Sequence, residues 1–400
     1  MLFFFAFLLS IILLGSITVG PLSIRVYATV AMVFFLFYNS TKGRKQIISI
    51  DHYQLNIYVL FLIWMGIAQL LNGEILEYQF FKKLLAYHLV SIVAFLSIEH
   101  YVNTVQDLKN TMLVLIGIML INNVATILQF VGNDIGWSIG MFFGDNQDNI
   151  DFIGTHDTLL GFSRTPGILG NVVNNAFAIA VLTPLSLCLV NDSSNIITKL
   201  YAILSFVIAS LACFMTQQRA AFYLLLFCFA VYLLVAIKKN AIIFIVLGVL
   251  VMLFVDNLNF DNMDIGRLSN TTDDARSELY KHAYAYISEH PFLGGPMSFQ
   301  KMAGVTSHNV ALDSWIFAGF FGFVTMMILI CMTVLSAIKT FLRGLKAKGQ
   351  NRYMIFCSVA VINAMVYGFT HNTSYLTGNV LILIALALML KSSKLNMNEY

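Results

Sequence analysis

His308 and Asn309 stand where a polar stretch turns into a strongly apolar one, and they are followed by nine residues, Gly319, two residues and Gly322. An imidazole titrates near neutrality, which is what a general base acting on a hydroxyl requires. Asp313, one helical turn beyond Asn309, is spaced to help orient it. Three arginines complete the set. Arg219 opens an apolar run in Thr216-Gln217-Gln218-Arg219-Ala220. Arg276 sits in Asp273-Asp274-Ala275-Arg276-Ser277-Glu278. Arg164 lies in Ser163-Arg164-Thr165-Pro166-Gly167, ahead of Asn171, Asn174 and Asn175. A guanidinium grips phosphate oxygens with paired hydrogen bonds and keeps its charge at any physiological pH.

Each of these residues also has a plainer reading. His308 is equally an interfacial anchor, and Arg219 a side chain snorkelling from a helix end to water. Arg276 has acids beside it for a weak exposed ion pair. The Arg164 segment is rich in turn and capping residues. The other external histidines, His156, His282, His290 and His371, lack a comparable setting. Asp145, Asp148 and Asp151 lack the alternation of a calcium loop. The five cysteines lie inside apolar runs without C-x-x-C spacing, as small buried hydrophobes do. No metal site, no cofactor and no nucleic-acid partner is expected.

The elements that must position these groups are membrane helices. Hydrophobic residues make up 59% and charged residues 11% of the chain, and mean hydropathy is +0.81, far from the roughly 25% charge of a soluble domain. Apolar runs long enough to span a bilayer fall at about 2–20, 22–39, 53–71, 83–99, 109–131, 171–190, 197–215, 219–238, 241–256, 308–338, 353–370 and 374–391. The expectation is one all-α integral membrane domain over 1–400 with about twelve transmembrane helices. Backbone groups in lipid must be satisfied internally, which excludes open strands.

With the N-terminus inside, the inner loops hold 14 of the 23 basic residues, and the outer side holds 15 of the 20 acids. The positive-inside rule therefore puts both termini in the cytoplasm. Two external segments exceed ordinary connectors, about 131–170 and about 256–307, the latter between helices nine and ten. Within the second, 273–290 reads as an amphipathic helix with Tyr280, Tyr284 and Ile287 on one face and Pro291 ending it. Gly319 and Gly322 read as small residues that let a neighbouring helix approach. No internal repeat of the kind many carriers show is visible, and no charge relay lies in mid-span.

In that order, the motifs resemble the O-antigen ligase/polymerase (Wzy-like) superfamily. His308-Asn309-x9-Gly319-x-x-Gly322 matches its loop-to-helix signature. Thr216 to Arg219 resembles its Ser/Thr-x-x-Arg element, and Arg276 with His290-Pro291-Phe292-Leu293-Gly294-Gly295 its "Arg … Pro-Leu-x-Gly" loop. Arg164-Thr165-Pro166-Gly167 with Asn171 resembles its "Arg-x-x-Gly … Asn" element. The resemblance implies a GT-C-like, metal-independent glycosyltransferase of the bacterial inner membrane that uses a polyprenyl-pyrophosphate-linked glycan. It also implies catalytic roles for His308, Arg219 and Arg276, and substrate binding by Arg164, Asn309 and Asp313, around a cavity shared by the first three. His308-Asn309-Val310-Ala311-Leu312-Asp313 is closer to the polymerase form, for which a chain-length regulator is a further partner. A ligase acting on an acceptor such as lipid A-core, and a glycolipid flippase, stay as alternatives.

Overall fold

Apolar sequence and local capping chemistry together set the helices of this chain. The structure, a computed structural model, describes residues 1–41, 52–143, 158–159, 162–163, 165–192, 195–237, 274–347, 351–371 and 375–395. The helices are α1 Leu2–Ile12, α2 Ile24–Thr41, α3 Tyr53–Leu71, α4 Phe80–Tyr101, α5 Val105–Phe130, α6 Asp134–Phe143 and α7 Val172–Asp192. They continue with α8 Ile196–Met215, α9 Arg219–Ile237, α10 Asp274–Glu289, α11 Pro296–Ala303, α12 Val310–Lys346, α13 Arg352–His371 and α14 Val380–Lys394. Two small antiparallel pairings, Thr18–Val19 with Leu22–Ser23 and Thr158–Leu159 with Phe162–Ser163, are the strands among the described residues. The protein is an all-α polytopic membrane protein.

Nine of the described helices are long and apolar enough to cross a membrane. The first expected span is shorter than its apolar run. α1 stops at Ile12, and the chain turns through Gly15-Ser16 into the 18–23 hairpin. Eleven residues rise about 16 Å, against the roughly 30 Å of a hydrocarbon core. The last helix, α14, begins at Val380 because Tyr375–Thr377 forms a 3₁₀ turn before it. The expected span at 241–256 lies outside the described residues.

Caps mark several starts. Thr104 and Asp107 form a reciprocal capping box on α5, and Asn195, Asn309 and Asn379 cap α8, α12 and α14. α7 and α13 form the centre, with 89% and 78% of their spans buried, whereas α2 and α8, at 17% and 28%, face outward. α7 carries an interior proline, Pro184, which removes the donor that would meet the Ala180 carbonyl. Asn363 of α13 supplies that donor at 2.7 Å, so the carbonyl is satisfied inside the bundle, as lipid demands. At one end of the bundle Glu99 draws together Lys391 (3.4 Å), Lys394 (3.5 Å) and His52 (3.6 Å). The opposite end carries the starts of α2, α4, α7, α9, α12 and α14.

Within the second loop, α10 runs Asp274–Glu289, close to the expected 273–290. Its buried face differs from the expected one. Ala283, Tyr286 and Ile287 are buried, while Tyr284 is 63% exposed. Tyr286 wins the inward position because its hydroxyl donates to the Gly295 carbonyl at 2.8 Å.

Candidate functional site

At the mouth of α12, two side chains hold the backbone on either side of His308. Asn309 caps the helix, its Oδ1 accepting from the N–H groups of Ala311 (2.9 Å) and Leu312 (3.3 Å). Its amide nitrogen donates to the Phe369 carbonyl at the end of α13 (3.3 Å). Asp313 is fully buried, and its Oδ1 accepts from the Ser307 N–H at 2.8 Å. His308, half-buried between these anchors, has φ +57°, a left-handed conformation uncommon outside glycine. Gln217, two residues before Arg219, has φ +53°. Such conformations cost of order 1–3 kcal/mol and persist where surroundings impose them, often at functional sites.

Three turns into α12 the helix is broken at Gly319, with φ +63° and ψ −167°. Sequence reading expected this glycine to admit a neighbouring helix. The structure replaces that with a loop: a Cβ at Gly319 would collide with the Phe292 carbonyl. Gly322 does face a helix, lying against the Trp64 ring of α3. Around the break, backbone carbonyls take donors from outside the helix. Gly295 N donates to Ile316 O (2.7 Å), Gln69 Nε2 to Phe317 O (2.7 Å) and Trp64 Nε1 to Ala318 O (2.8 Å). Phe320 N and Trp315 Nε1 both donate to Pro291 O, at 2.9 and 2.8 Å. Irregular backbone at this depth is tolerable because every such group has a protein partner.

The docked loop is fixed from the far side too. Glu74, 7% exposed in the turn after α3, accepts from the N–H groups of Met297 (2.8 Å) and Ser298 (2.9 Å) and from the Ser298 hydroxyl. A carboxylate on the first turn of α11 satisfies its orphan donors and complements the helix dipole. A continuous chain of contacts therefore runs from α10 through Tyr286, Gly295 and Ile316 into α12, the helix headed by His308. Tyr78 packs on the same break, its ring 5.2 Å from that of Phe317. Burial, and then the Asp313 charge, push its hydroxyl above the usual range.

The mouth of α7 is held differently. Asn175 accepts from Asn122 of α5 (2.7 Å) and donates to Thr126 Oγ1 (2.9 Å) and the Thr165 carbonyl (3.2 Å). Asn122 Oδ1 accepts from Ile168 N (2.9 Å). Gln129 clasps Gly167 through both backbone groups, accepting from its N–H (2.8 Å) and donating to its carbonyl (2.9 Å). Thr165 then reaches the Met215 carbonyl at 3.3 Å, so the Arg164 and Arg219 elements meet backbone to side chain. Arg219, half-buried, is the first residue of α9. Arg276 lies in the first turn of α10, where its backbone is described and its side chain is not; Arg164 lies outside the described residues.

Asp313, fully buried and bonded to Ser307, fixes the loop that carries His308. The Asn309 side chain caps α12 and tethers it to α13. A cavity of about 430 Å³ does open at this end, but it is lined by Arg25, Lys83, Tyr78, His88 and Asn174 among others, and by neither His308 nor Arg219. Sequence reading passed over Trp64, Gln69, Glu74, Asn122 and Gln129. Their signal was polar side chains placed in or just after otherwise apolar spans.

The family model described as O-antigen ligase matches residues 204–327, a segment that holds Arg219, Arg276, His308, Gly319 and Gly322. The match supports the O-antigen ligase/polymerase superfamily. No curated protein and no solved structure matches the chain.

Proposed function

We propose, for a chain whose segment 204–327 carries the O-antigen ligase/polymerase match, that it is a glycan polymerase. It would join polyprenyl-pyrophosphate-linked oligosaccharide repeats into an O-antigen, capsular or exopolysaccharide chain at the outer face of the cytoplasmic membrane. The observation that carries this reading is the α12 mouth. An imidazole stands on a strained, doubly anchored loop at the end of the bundle where α9 opens with Arg219.

In this reading the acceptor sugar hydroxyl attacks the anomeric carbon of the donor. The new C–O bond forms as the bond to the pyrophosphate oxygen breaks, and that electron pair leaves with the lipid pyrophosphate. His308 takes the hydroxyl proton. Arg219 and Arg276 hold the departing phosphate charge bidentately and need no metal for it. Arg164 binds glycan or phosphate beside them. Asn309 and Asp313 keep His308 in place. One direct displacement inverts the anomeric centre.

Deleting the gene separates the alternatives. A polymerase leaves single repeats on the carrier or cell surface and abolishes the long ladder on gels. Polymer retained on the lipid carrier would mark a ligase, and lipid-linked repeats trapped inside would mark a flippase.

A further inference from the structure

We propose that the cavity between α1, α2, α4, α7 and α14 seats the pyrophosphate headgroup of a second lipid-linked substrate, the acceptor. The inference rests on the polymerase reading, in which both partners of the condensation carry a lipid pyrophosphate and two anion seats are needed. Arg219 and Arg276 provide for one.

The cavity has the chemistry for the other. Its volume of about 430 Å³ falls within the roughly 300–1,000 Å³ of small-molecule sites. Arg25 at the start of α2 and Lys83 at the start of α4 line it, and among the described residues no carboxylate does. That is notable at an end of the bundle where sequence charge predicts nine basic against fifteen acidic residues. Both cations are half-buried and held in place. The Arg25 Nε donates to the Gly15 carbonyl at 2.8 Å and its guanidinium lies 5.1 Å from the Tyr87 ring centre, while the Lys83 ammonium sits 3.8 Å over the Tyr78 ring. A guanidinium and an ammonium facing one space suit a polyanion.

The remaining wall explains why the anion would belong to a lipid. Ile11, Ile12, Val90 and Leu381 give the cavity an apolar wall, against which the first units of a prenyl chain can pack. The π-helical turn at Leu84–Leu89 within α4 shapes this wall by setting Tyr87 and His88 toward it, with His88 Nδ1 2.6 Å from the Tyr58 hydroxyl. Position favours the acceptor. Tyr78 belongs both to the cavity wall and to the packing on Phe317 at the α12 break. Asn174, also in the wall, precedes the Asn175 network that holds the α7 mouth. A headgroup here would direct its sugar toward the ground between the two mouths.

The test counts ligands. Native mass spectrometry of the detergent-solubilised full chain, titrated with farnesyl pyrophosphate, should show two bound molecules. Arg25→Gln/Lys83→Gln should keep one and weaken the other by about tenfold or more, and Arg219→Ala should lose the opposite one. Arg25→Lys should retain both with a smaller loss at the cavity. If the double variant does not survive purification, Lys83→Gln alone carries the same comparison. Two molecules still bound in the charge-removed variant, or only one bound in the wild type, would overturn the proposal. Displacement of the cavity molecule by an equal amount of phosphatidylglycerol would show a general anionic-lipid seat and overturn the acceptor assignment. Because binding is read without turnover, the proposal can fail while the deletion phenotype still shows a polymerase. Polymer retained on the carrier after deletion would instead fail the polymerase reading, whatever the ligand count.

Discussion

The mouths of α7 and α12 lie at the same end of the bundle and solve the same problem by opposite means. At α7 the backbone of residues 165–168 is irregular, and neutral amides from α5, Asn122 and Gln129, meet its donors and acceptors one by one. At α12 the helix itself is broken, and its carbonyls are met by a docked loop and by α3 side chains. The first arrangement is a side-chain scaffold closed around positive-φ glycines, Gly167 and Gly170. The second places left-handed backbone at a non-glycine residue, His308, and breaks a helix at Gly319. The difference teaches where the fold tolerates substitution. The α7 mouth should weaken in steps as single bonds are lost. The α12 mouth should fail as a unit, because loop, break and His308 share one set of contacts.

Gly319→Ala should therefore have the largest effect. A Cβ there meets the Phe292 carbonyl, and an alanine in this positive-φ extended conformation alone costs about 1–3 kcal/mol. The expected outcome is loss of glycan polymer with lowered thermal stability of the purified protein. A variant of normal stability and activity would remove the distinction between the mouths. Asn122→Ala should come next. It strands the Ile168 N–H and the Asn175 carbonyl in a buried setting, each at about 1–3 kcal/mol. Melting should fall clearly, while turnover of the surviving folded fraction stays within a fewfold. Glu74→Gln removes the charge and turns one of the two accepting oxygens into a donor that faces a backbone N–H of α11, which costs about 1–3 kcal/mol. It should show as faster proteolysis of the loop around α11 with a smaller fall in melting than Asn122→Ala. Lys301→Ala should do least. Its ion pair with Glu77 at 2.8 Å joins two exposed side chains on the same face, and neither melting nor polymer length should change measurably.

What the sequence made legible follows from how local each signal is. Span positions were readable because twenty apolar residues in a row have one physical meaning, and α3, α7, α8 and α13 fall within about two residues of expectation. The end of α1 was not, because an apolar run continues through the Gly15-Ser16 turn. The His308–Gly322 spacing was visible, but its meaning at Gly319 was not. A glycine that admits a helix and one that breaks its own helix look alike in sequence, and the partner loop lies more than twenty residues away. The assignment of Tyr284 to the buried face of α10 failed because the Gly295 carbonyl, a tertiary partner, selects Tyr286. Arg25 and Lys83 carry no joint signal in the sequence, because only folding brings the starts of α2 and α4 to one cavity.

The account stands most directly on His308. Turnover of a lipid-linked repeat by the purified enzyme should be measured in wild type and His308→Gln, each with and without a chelator, alongside Arg219→Ala. With the imidazole as general base, His308→Gln should lose roughly 10²–10⁴-fold in rate while still binding farnesyl pyrophosphate. Arg219→Ala should lose turnover together with one of the two bound farnesyl pyrophosphate molecules, and the chelator should leave wild-type turnover unchanged. Near-normal turnover by His308→Gln would contradict the account and leave His308 as a strained interfacial residue.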